Sequence, residues 1–163
     1  FGITTRTYDW LNSGQHPFRS VTLDSVMEIQ KRAKDDIGEF RTFEQWGQLL
    51  AMMEDVIRKF RDLTEHPTHP LAAVVYICGT KLEDGLYRPF LQGQLKLHLP
   101  YAVDAVGYLY AQRDEVGNLR RALSIEPGGI AVAGNRLGGH LPGIVWDPNV
   151  QNMLNTLYGT ETN

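Results

Sequence analysis

The sequence predicts an α/β fold with a mixed sheet, and three observations lead to it. Two apolar runs, at residues 18–23 and 71–78, are bounded by turn residues, as strands are. Two segments between them repeat apolar residues at helical spacing. Strands joined by such a crossover pair in parallel with a right-handed connection, and the hairpins that follow are expected to extend the same sheet antiparallel.

The composition fits one domain with a hydrophobic core, spanning residues 1–163. The 42% hydrophobic and 21% charged residues are ordinary for a soluble globular protein. The net charge of −3 excludes a positive field over the whole molecule, so nucleic acid would need a local patch. A single cysteine, Cys78, excludes an intramolecular disulfide and cysteine-based zinc sites and fits a reducing cytoplasm. No apolar stretch approaches the roughly 20 residues that cross a bilayer, so no membrane partner is expected.

The first two helices are predicted from the residues at their ends. A helix ends near Asn12, before a turn at residues 13–17 in which Gly and Pro break regular structure. Ser25 is placed to cap a second helix, which ends at Gly38. The apolar positions of this second helix are Val26, Ile29, Ala33 and Ile37.

The third helix is the longest one predicted. Thr42 is followed by Gln45 at the spacing of a capping box, so the helix begins directly after Thr42. The apolar residues expected in its core-facing surface are Trp46, Leu49, Leu50, Met52, Met53, Ile57 and Phe60.

The middle of the chain is expected to hold a strand between two loops. Residues 65–70 form the first loop, and the continuous apolar run at 71–78 is typical of a strand buried on both faces. Residues 79–92 are polar and carry both signs of charge, which predicts a mobile loop. A short helix at 94–99 is stopped by Pro100.

The last third is expected to be mainly strands. Residues 103–112 and 119–125 are predicted to form an antiparallel hairpin around a turn at 113–118. A short strand follows at 130–133. The final helix is expected to begin at Asp147-Pro148, with Pro at its first position.

Asp24 is the residue that points most directly to a chemistry. It closes the first apolar run and precedes the helix cap Ser25. P-loop ATPases place a carboxylate at such a strand end to hold the water shell of Mg²⁺, and α/β sheets bind ligands at that edge. A plain strand followed by a helix cap has the same pattern, so both interpretations stand.

The partner motif of such a carboxylate, G-x-x-x-x-G-K-[ST], does not occur in the 163 residues. Gly129 and Gly134 have its glycine spacing, but Asn135 and Arg136 follow where Lys and Ser or Thr are required. We interpret this spacing as coincidence. The chain begins with Phe1 rather than Met, which points to a fragment, and processing or trimming would leave the same start.

Several short motifs together carry a resemblance to a known family. They are HP-F-x-x-V-x-x-DS-x-x-E-x-Q at residues 16–30, W-G at 46–47, RP-x-L-x-G at 88–93, LP…D-x-V-GYL at 99–109, and NR-x-G…LP at 135–142. In this order and spacing they resemble the phage-encoded RecA-core nucleotide-binding proteins linked to single-strand annealing recombination. The resemblance runs from about residue 8 to the end and implies an incomplete RecA-like P-loop NTPase core. Its Walker-A strand, loop and helix would precede residue 1.

The resemblance implies a role for five residues in handling ATP and Mg²⁺. Asp24 would hold the metal with Ser25 beside it. Thr80 stands near the strand end where the family has a polar sensor residue, a departure that puts hydrolysis in doubt. Arg136, with Asn135 next to it, would reach the nucleotide of a neighbouring subunit, so a homo-oligomer is implied. A solvated loop arginine is the alternative interpretation of Arg136. ATPase activity is expected only where a Walker-A segment is supplied.

The resemblance also implies a single-stranded DNA site in the loop from Thr80 to Gln92. Lys81 and Arg88 would contact phosphates, and Tyr87 would stack on a base. Because Glu83 and Asp84 oppose this electrostatically, an ordinary surface loop is an equal interpretation.

The implied function is nucleotide-dependent binding and annealing of single strands in phage recombination or replication, in the cytoplasm of an infected bacterium. The alternative is a non-catalytic interaction or structural module that has lost the phosphate loop.

Overall fold

The structure is a computed structural model that describes residues 1–158, and it is mixed α/β, as the sequence predicts. Two short 3₁₀ helices span Leu63–Glu65 and Leu99–Tyr101. The α-helices of the described chain are α1 (Gly2–Asn12), α2 (Val26–Ile37), α3 (Phe43–Asp62), α4 (Leu95–His98) and α5 (Val150–Tyr158).

The strands form four small sheets rather than one mixed sheet, so that part of the fold prediction is wrong. The strands are β1 (Ser20–Asp24), β2 (Ala73–Ile77), β3 (Thr80–Glu83), β4 (Leu86–Pro89), β5 (Ala105–Val106), β6 (Tyr108–Arg113), β7 (Leu119–Ser124), β8 (Gly134–Asn135) and β9 (Ile144–Trp146). β1 and β2 pair in parallel, β3 pairs with β4, β5 pairs with β8, and β6, β7 and β9 form a three-stranded sheet. The strands of each later hairpin bond to each other instead of extending the first sheet.

The chain divides into two compact units. Unit 1 comprises Phe1–Lys81 and Pro89–Ala102, and unit 2 comprises Leu82–Arg88 together with the chain from Val103. The division falls within β3 and β4. The expectation of a single domain stays a prediction. In residues 1–158, no helix is long and apolar enough to cross a membrane.

Unit 1 contains the predicted parallel strand pair, and its register runs from Ser20 opposite Ala73 to Asp24 opposite Ile77. Side chains alternate along a strand, and the face that carries Leu23 packs on the helices. The prediction that β2 is buried on both faces is wrong, because Ile77 is 43% exposed. Among the described strands β2 pairs only with β1, so this sheet stays narrow.

The helix caps of unit 1 confirm the predicted starts. The Ser25 side-chain oxygen accepts a hydrogen bond from the Glu28 N–H at 3.3 Å, and α2 ends at Gly38, whose φ of 92° favours glycine. The N–H of Gln45 donates to Thr42 Oγ1 and the N–H of Thr42 donates to Gln45 Oε1, which completes the capping box of α3.

The core of unit 1 lies between α2 and α3, and one predicted member is absent from it. Met53 is fully buried there, and Met52 is half-buried against the cluster. Trp46 is instead 39% exposed and meets Phe40 edge-on, with the Lys34 ammonium over both rings. Helical spacing gives the direction of the apolar face but not its width, so Trp46 falls at the edge of that face.

The predicted loop at 79–92 is wrong over most of its length, because residues 80–89 form the β3–β4 hairpin. Asp84 and Gly85 connect the strands with φ of 51° and 77°. Two positive φ values are what a type I′ hairpin turn requires, and Asp-Gly is a preferred pair for it. The Asp-Gly pair is a local indication of a hairpin, but the mixed charge of the segment favoured the interpretation as a loop.

Unit 2 confirms the β6–β7 hairpin but differs from the prediction on either side of it. The strand predicted at 130–133 is wrong: Ala131 forms only an isolated bridge with Tyr87. β9, which pairs with β7, was not predicted. The last helix begins at Val150, after Asp147-Pro148, because Asn149 Oδ1 accepts from the N–H of Asn152 and so caps it.

Candidate functional site

Asp24 lies at the carboxyl edge of the parallel strand pair. It is the last residue of β1, opposite Ile77 at the end of β2. Leu23 before it points into the core, so the Asp24 side chain lies on the other face and is exposed. The peptide bond to Ser25 is cis. Because its side chain is exposed, the Asp24 carboxylate is accessible at the edge of the sheet where α/β proteins bind ligands.

Ser25 lies directly after Asp24, as predicted, and it also caps α2. Its oxygen accepts the hydrogen bond that caps α2, while its hydroxyl hydrogen can still donate to a ligand. The side chain is half-buried, directly after the exposed carboxylate of Asp24.

Thr80 follows the neighbouring strand of the same sheet. It begins β3, two residues after Cys78, and is exposed. Because β1 and β2 are parallel, Asp24 and the segment leading to Thr80 leave the sheet at the same edge. Burial raises the pKa of the Cys78 thiol to about 11, so it stays protonated at neutral pH and is not a nucleophile there.

The residues at this edge fit Mg²⁺ in the form in which the ion accompanies nucleotides. Within residues 1–158, no group of three or more His, Cys, Asp or Glu side chains is arranged to hold a metal. Mg²⁺ commonly keeps several waters and takes one or two carboxylates together with substrate phosphates. A single exposed carboxylate such as Asp24 meets that requirement.

A buried glutamine ties α2 to the chain beyond the hairpin. Gln30 is 4% exposed, and its Nε2 donates to the Gln92 carbonyl at 3.1 Å while its Oε1 accepts from the Gln92 N–H at 2.8 Å. Sequence reasoning missed this contact. A signal was present, because Gln30 falls between Val26 and Ala33 on the apolar face of α2.

The other end of the hairpin is also anchored to α2. The N–H of Gly79 points at Met27 Sδ at 3.1 Å, and the Phe90 N–H donates to the Gly79 carbonyl at 2.8 Å. A Cβ on Gly79 would lie 2.7 Å from Met27 Sδ, so a larger residue there would have to displace the flexible Met27 side chain. The two segments that flank the hairpin, at Gly79 and at Gln92, are therefore both held to the helix that follows Asp24.

The predicted DNA-contacting residues lie on the hairpin but do not form one group. The Tyr87 ring stacks on Tyr108, with centroids 5.1 Å apart and planes 20° apart. Arg88 is the next residue of β4 and so points to the opposite face of that strand. Lys81 is exposed on β3. A ring and a neighbouring cation are thus present, but on different faces.

Asn135 and Arg136 lie in unit 2, whereas Asp24, Ser25 and Thr80 lie in unit 1. Asn135 Oδ1 accepts from the Leu137 N–H at 3.1 Å, so its side chain serves a local turn. The Arg136 side chain is exposed, and its backbone N–H donates to the Asp104 carbonyl at 2.8 Å.

Comparison of the chain with protein-family models, with curated proteins and with solved structures gives no match.

Proposed function

We propose that this chain is part of a RecA-like P-loop NTPase core that binds single-stranded DNA in a nucleotide-dependent way, in phage recombination or replication. The observation that carries the proposal is the parallel β1–β2 pair with exposed Asp24 at its carboxyl edge and the capped start of α2 directly after it. P-loop ATPases use a carboxylate in that position to hold Mg²⁺. The order of short motifs in the sequence supports the same assignment.

In this proposal Asp24 would accept hydrogen bonds from the water around Mg²⁺, and Ser25 would donate its hydroxyl beside it. The ion, when bound, neutralises charge on the nucleotide phosphates. Thr80 offers a hydroxyl from the neighbouring strand. Asn135 and Arg136 would act towards the nucleotide of an adjacent copy in a homo-oligomer, where a cation stabilises phosphoryl-transfer charge.

The phosphate-binding loop would come from outside these 163 residues, since its pattern is not among them. That same observation favours the second candidate, a non-catalytic interaction or structural module. A calorimetric titration of the full-length protein with ATP and Mg²⁺ separates the two, because the module would bind neither.

The hairpin supplies the expected DNA contacts. Lys81 and Arg88 provide cations on its two strands, and Tyr87 provides a ring. Since the chain carries a net charge of −3, attraction to phosphates has to be local rather than long-range.

Replacing Lys81 and Arg88 together by Ala should flatten the salt dependence of single-strand binding. Each phosphate contact on a single strand contributes ~0.7 to the slope of log K against log salt, so the slope should fall by up to about 1.4. Fluorescence anisotropy with a labelled oligonucleotide at several salt concentrations measures this. The control is Arg6→Ala with Lys31→Ala, which removes the same charge from exposed positions on α1 and α2. Unchanged affinity and slope in the hairpin variant would make the hairpin an ordinary surface element.

A further inference from the structure

Three tyrosines of unit 2 form a continuous stack, here named the tyrosine ladder: Tyr87, Tyr108 and Tyr110. The Tyr87 and Tyr108 rings are 5.1 Å apart at 20°, and the Tyr108 and Tyr110 rings are 5.6 Å apart at 17°. Both separations are those of offset-stacked aromatic rings. Tyr108 and Tyr110 are two residues apart on β6, so they share one face of its sheet. All three side chains are only half-buried.

The register of the sheet defines what lies beyond the last ring. Tyr110 is opposite Ala122, and Ala122 is opposite Trp146 on β9, so Trp146 shares the face of the ladder. Trp146 is 38% exposed. The next pair along this face is Gln112 opposite Arg120, so the row of tyrosine rings ends at Tyr110.

Arg120 supplies a cation at that end. Its guanidinium lies 5.4 Å from the centre of the Trp146 ring and is bonded to the Asp147 carboxylate at 2.7 Å. The side chain is therefore held over the ladder face rather than extended into solvent. Tyrosine, tryptophan and arginine therefore share one face of this sheet, on which Trp146 is exposed, Tyr110 and Arg120 are half-buried and Ala122 is buried.

We propose that the Tyr110 end of the tyrosine ladder, with Trp146 and Arg120, is a stacking site for the bases of single-stranded nucleic acid. This inference rests on the proposed function, and it identifies the surface of the protein that would hold the bases of the bound strand. A flat base against the outer side of Tyr110 continues the ladder by one ring.

The chemistry of this surface fits bases of any sequence. Every base has a π-face, and stacking on aromatic side chains is the sequence-tolerant part of single-strand binding. A chain with a net charge of −3 gains little from long-range attraction, so stacking has to supply most of the affinity. Binding at the ladder should consequently depend on Tyr110 more than on salt.

The test compares Tyr110→Ala with Leu109→Ala in the full-length protein. Leu109 is the adjacent residue on β6, is 57% exposed and lies on the opposite face of the sheet. With a labelled single strand, Tyr110→Ala should weaken binding roughly 5- to 150-fold at an unchanged salt slope. Leu109→Ala should bind as wild type does, and Tyr110→Trp, which keeps a ring, should restore affinity.

Circular dichroism and thermal unfolding establish that each variant is folded. If Tyr110→Ala does not fold, the fluorescence of Trp146 replaces it, in a background with Trp10 and Trp46 changed to Phe. Single strands should then quench that fluorescence, and a duplex of the same length should leave it unchanged.

Two failures are distinguishable. Wild-type protein that binds no single strand overturns the proposed function together with this site. Wild-type protein that binds single strands, while folded Tyr110→Ala binds equally well or Trp146 emission stays unchanged, overturns the ladder site and leaves the function standing. Equal quenching by a proline-rich peptide with no effect of DNA would assign the surface to a protein partner and also overturn the site.

Discussion

Replacing Asp24 by Asn should abolish Mg²⁺-dependent ATP hydrolysis by the full-length protein and leave its fold intact. The substitution keeps the shape of the side chain and removes the negative charge that would hold the metal. Losing one such electrostatic contact in phosphoryl transfer costs on the order of 100-fold or more in rate. The fold should survive because the Asp24 side chain is exposed at a strand end. Release of phosphate at saturating ATP, with thermal unfolding in parallel, measures both effects.

Asp35→Asn is the matched control for this prediction. Asp35 is an exposed carboxylate on α2, so its substitution removes the same charge without touching the sheet edge. Its hydrolysis rate should equal that of wild type. A rate close to wild type in Asp24→Asn would mean that Asp24 is only the end of a strand before a helix cap.

Replacing Gln30 by Leu should loosen the segment at residues 89–92 as well as lower stability. Leu fills a similar volume but cannot bond to the Gln92 backbone, so one N–H and one carbonyl lose their partner. An unsatisfied backbone group in a buried site costs about 1–3 kcal/mol. Because Gln92 borders solvent, water can replace part of the two lost hydrogen bonds, and we expect the free energy of unfolding to fall by roughly 2–3 kcal/mol. Amide hydrogen exchange over residues 89–92 should accelerate more than elsewhere, since this contact fixes that segment to α2.

Gln48→Leu is the control, because it makes the same substitution at an exposed position of α3. It should change neither unfolding in denaturant nor exchange. If Gln30→Leu lowers stability while exchange over 89–92 stays at the wild-type level, the contact only packs the core and does not hold that segment.

Local signals account for the parts of the fold that the sequence predicts. Ser25 caps α2, and Thr42 with Gln45 caps α3, because each cap depends on residues within four positions of one another. The β3–β4 hairpin was equally local in Asp84-Gly85, yet the mixed charge of the segment outweighed that pair in the prediction.

The features that sequence reasoning missed depend on contacts between residues that are far apart in the sequence. Whether a hairpin joins the first sheet or forms its own depends on chain contacts that no short pattern records, and so the single mixed sheet was wrong. Gln30 and Gln92 are 62 residues apart. The same limit applies to Tyr87, since its residue type suggested stacking on a base but not its stacking on Tyr108.

The part of the candidate site that was predictable from the sequence is the part that lies at the end of a strand. The exposure of Asp24 follows from its place after buried Leu23 at the end of β1. The local turn that engages Asn135, and the opposite facing of Tyr87 and Arg88, became visible only with the strands in place.

The measurement that tests the central claim most directly is single-strand binding by the full-length protein with and without nucleotide. A labelled oligonucleotide is titrated in the presence of Mg²⁺, either alone or with a non-hydrolysable ATP analogue, and anisotropy is recorded for wild type and Asp24→Asn. A RecA-like core predicts that wild type binds the strand more tightly when the analogue is present and that Asp24→Asn loses this difference. Absence of single-strand binding under both conditions, or binding to which the nucleotide makes no difference in wild type, would contradict it.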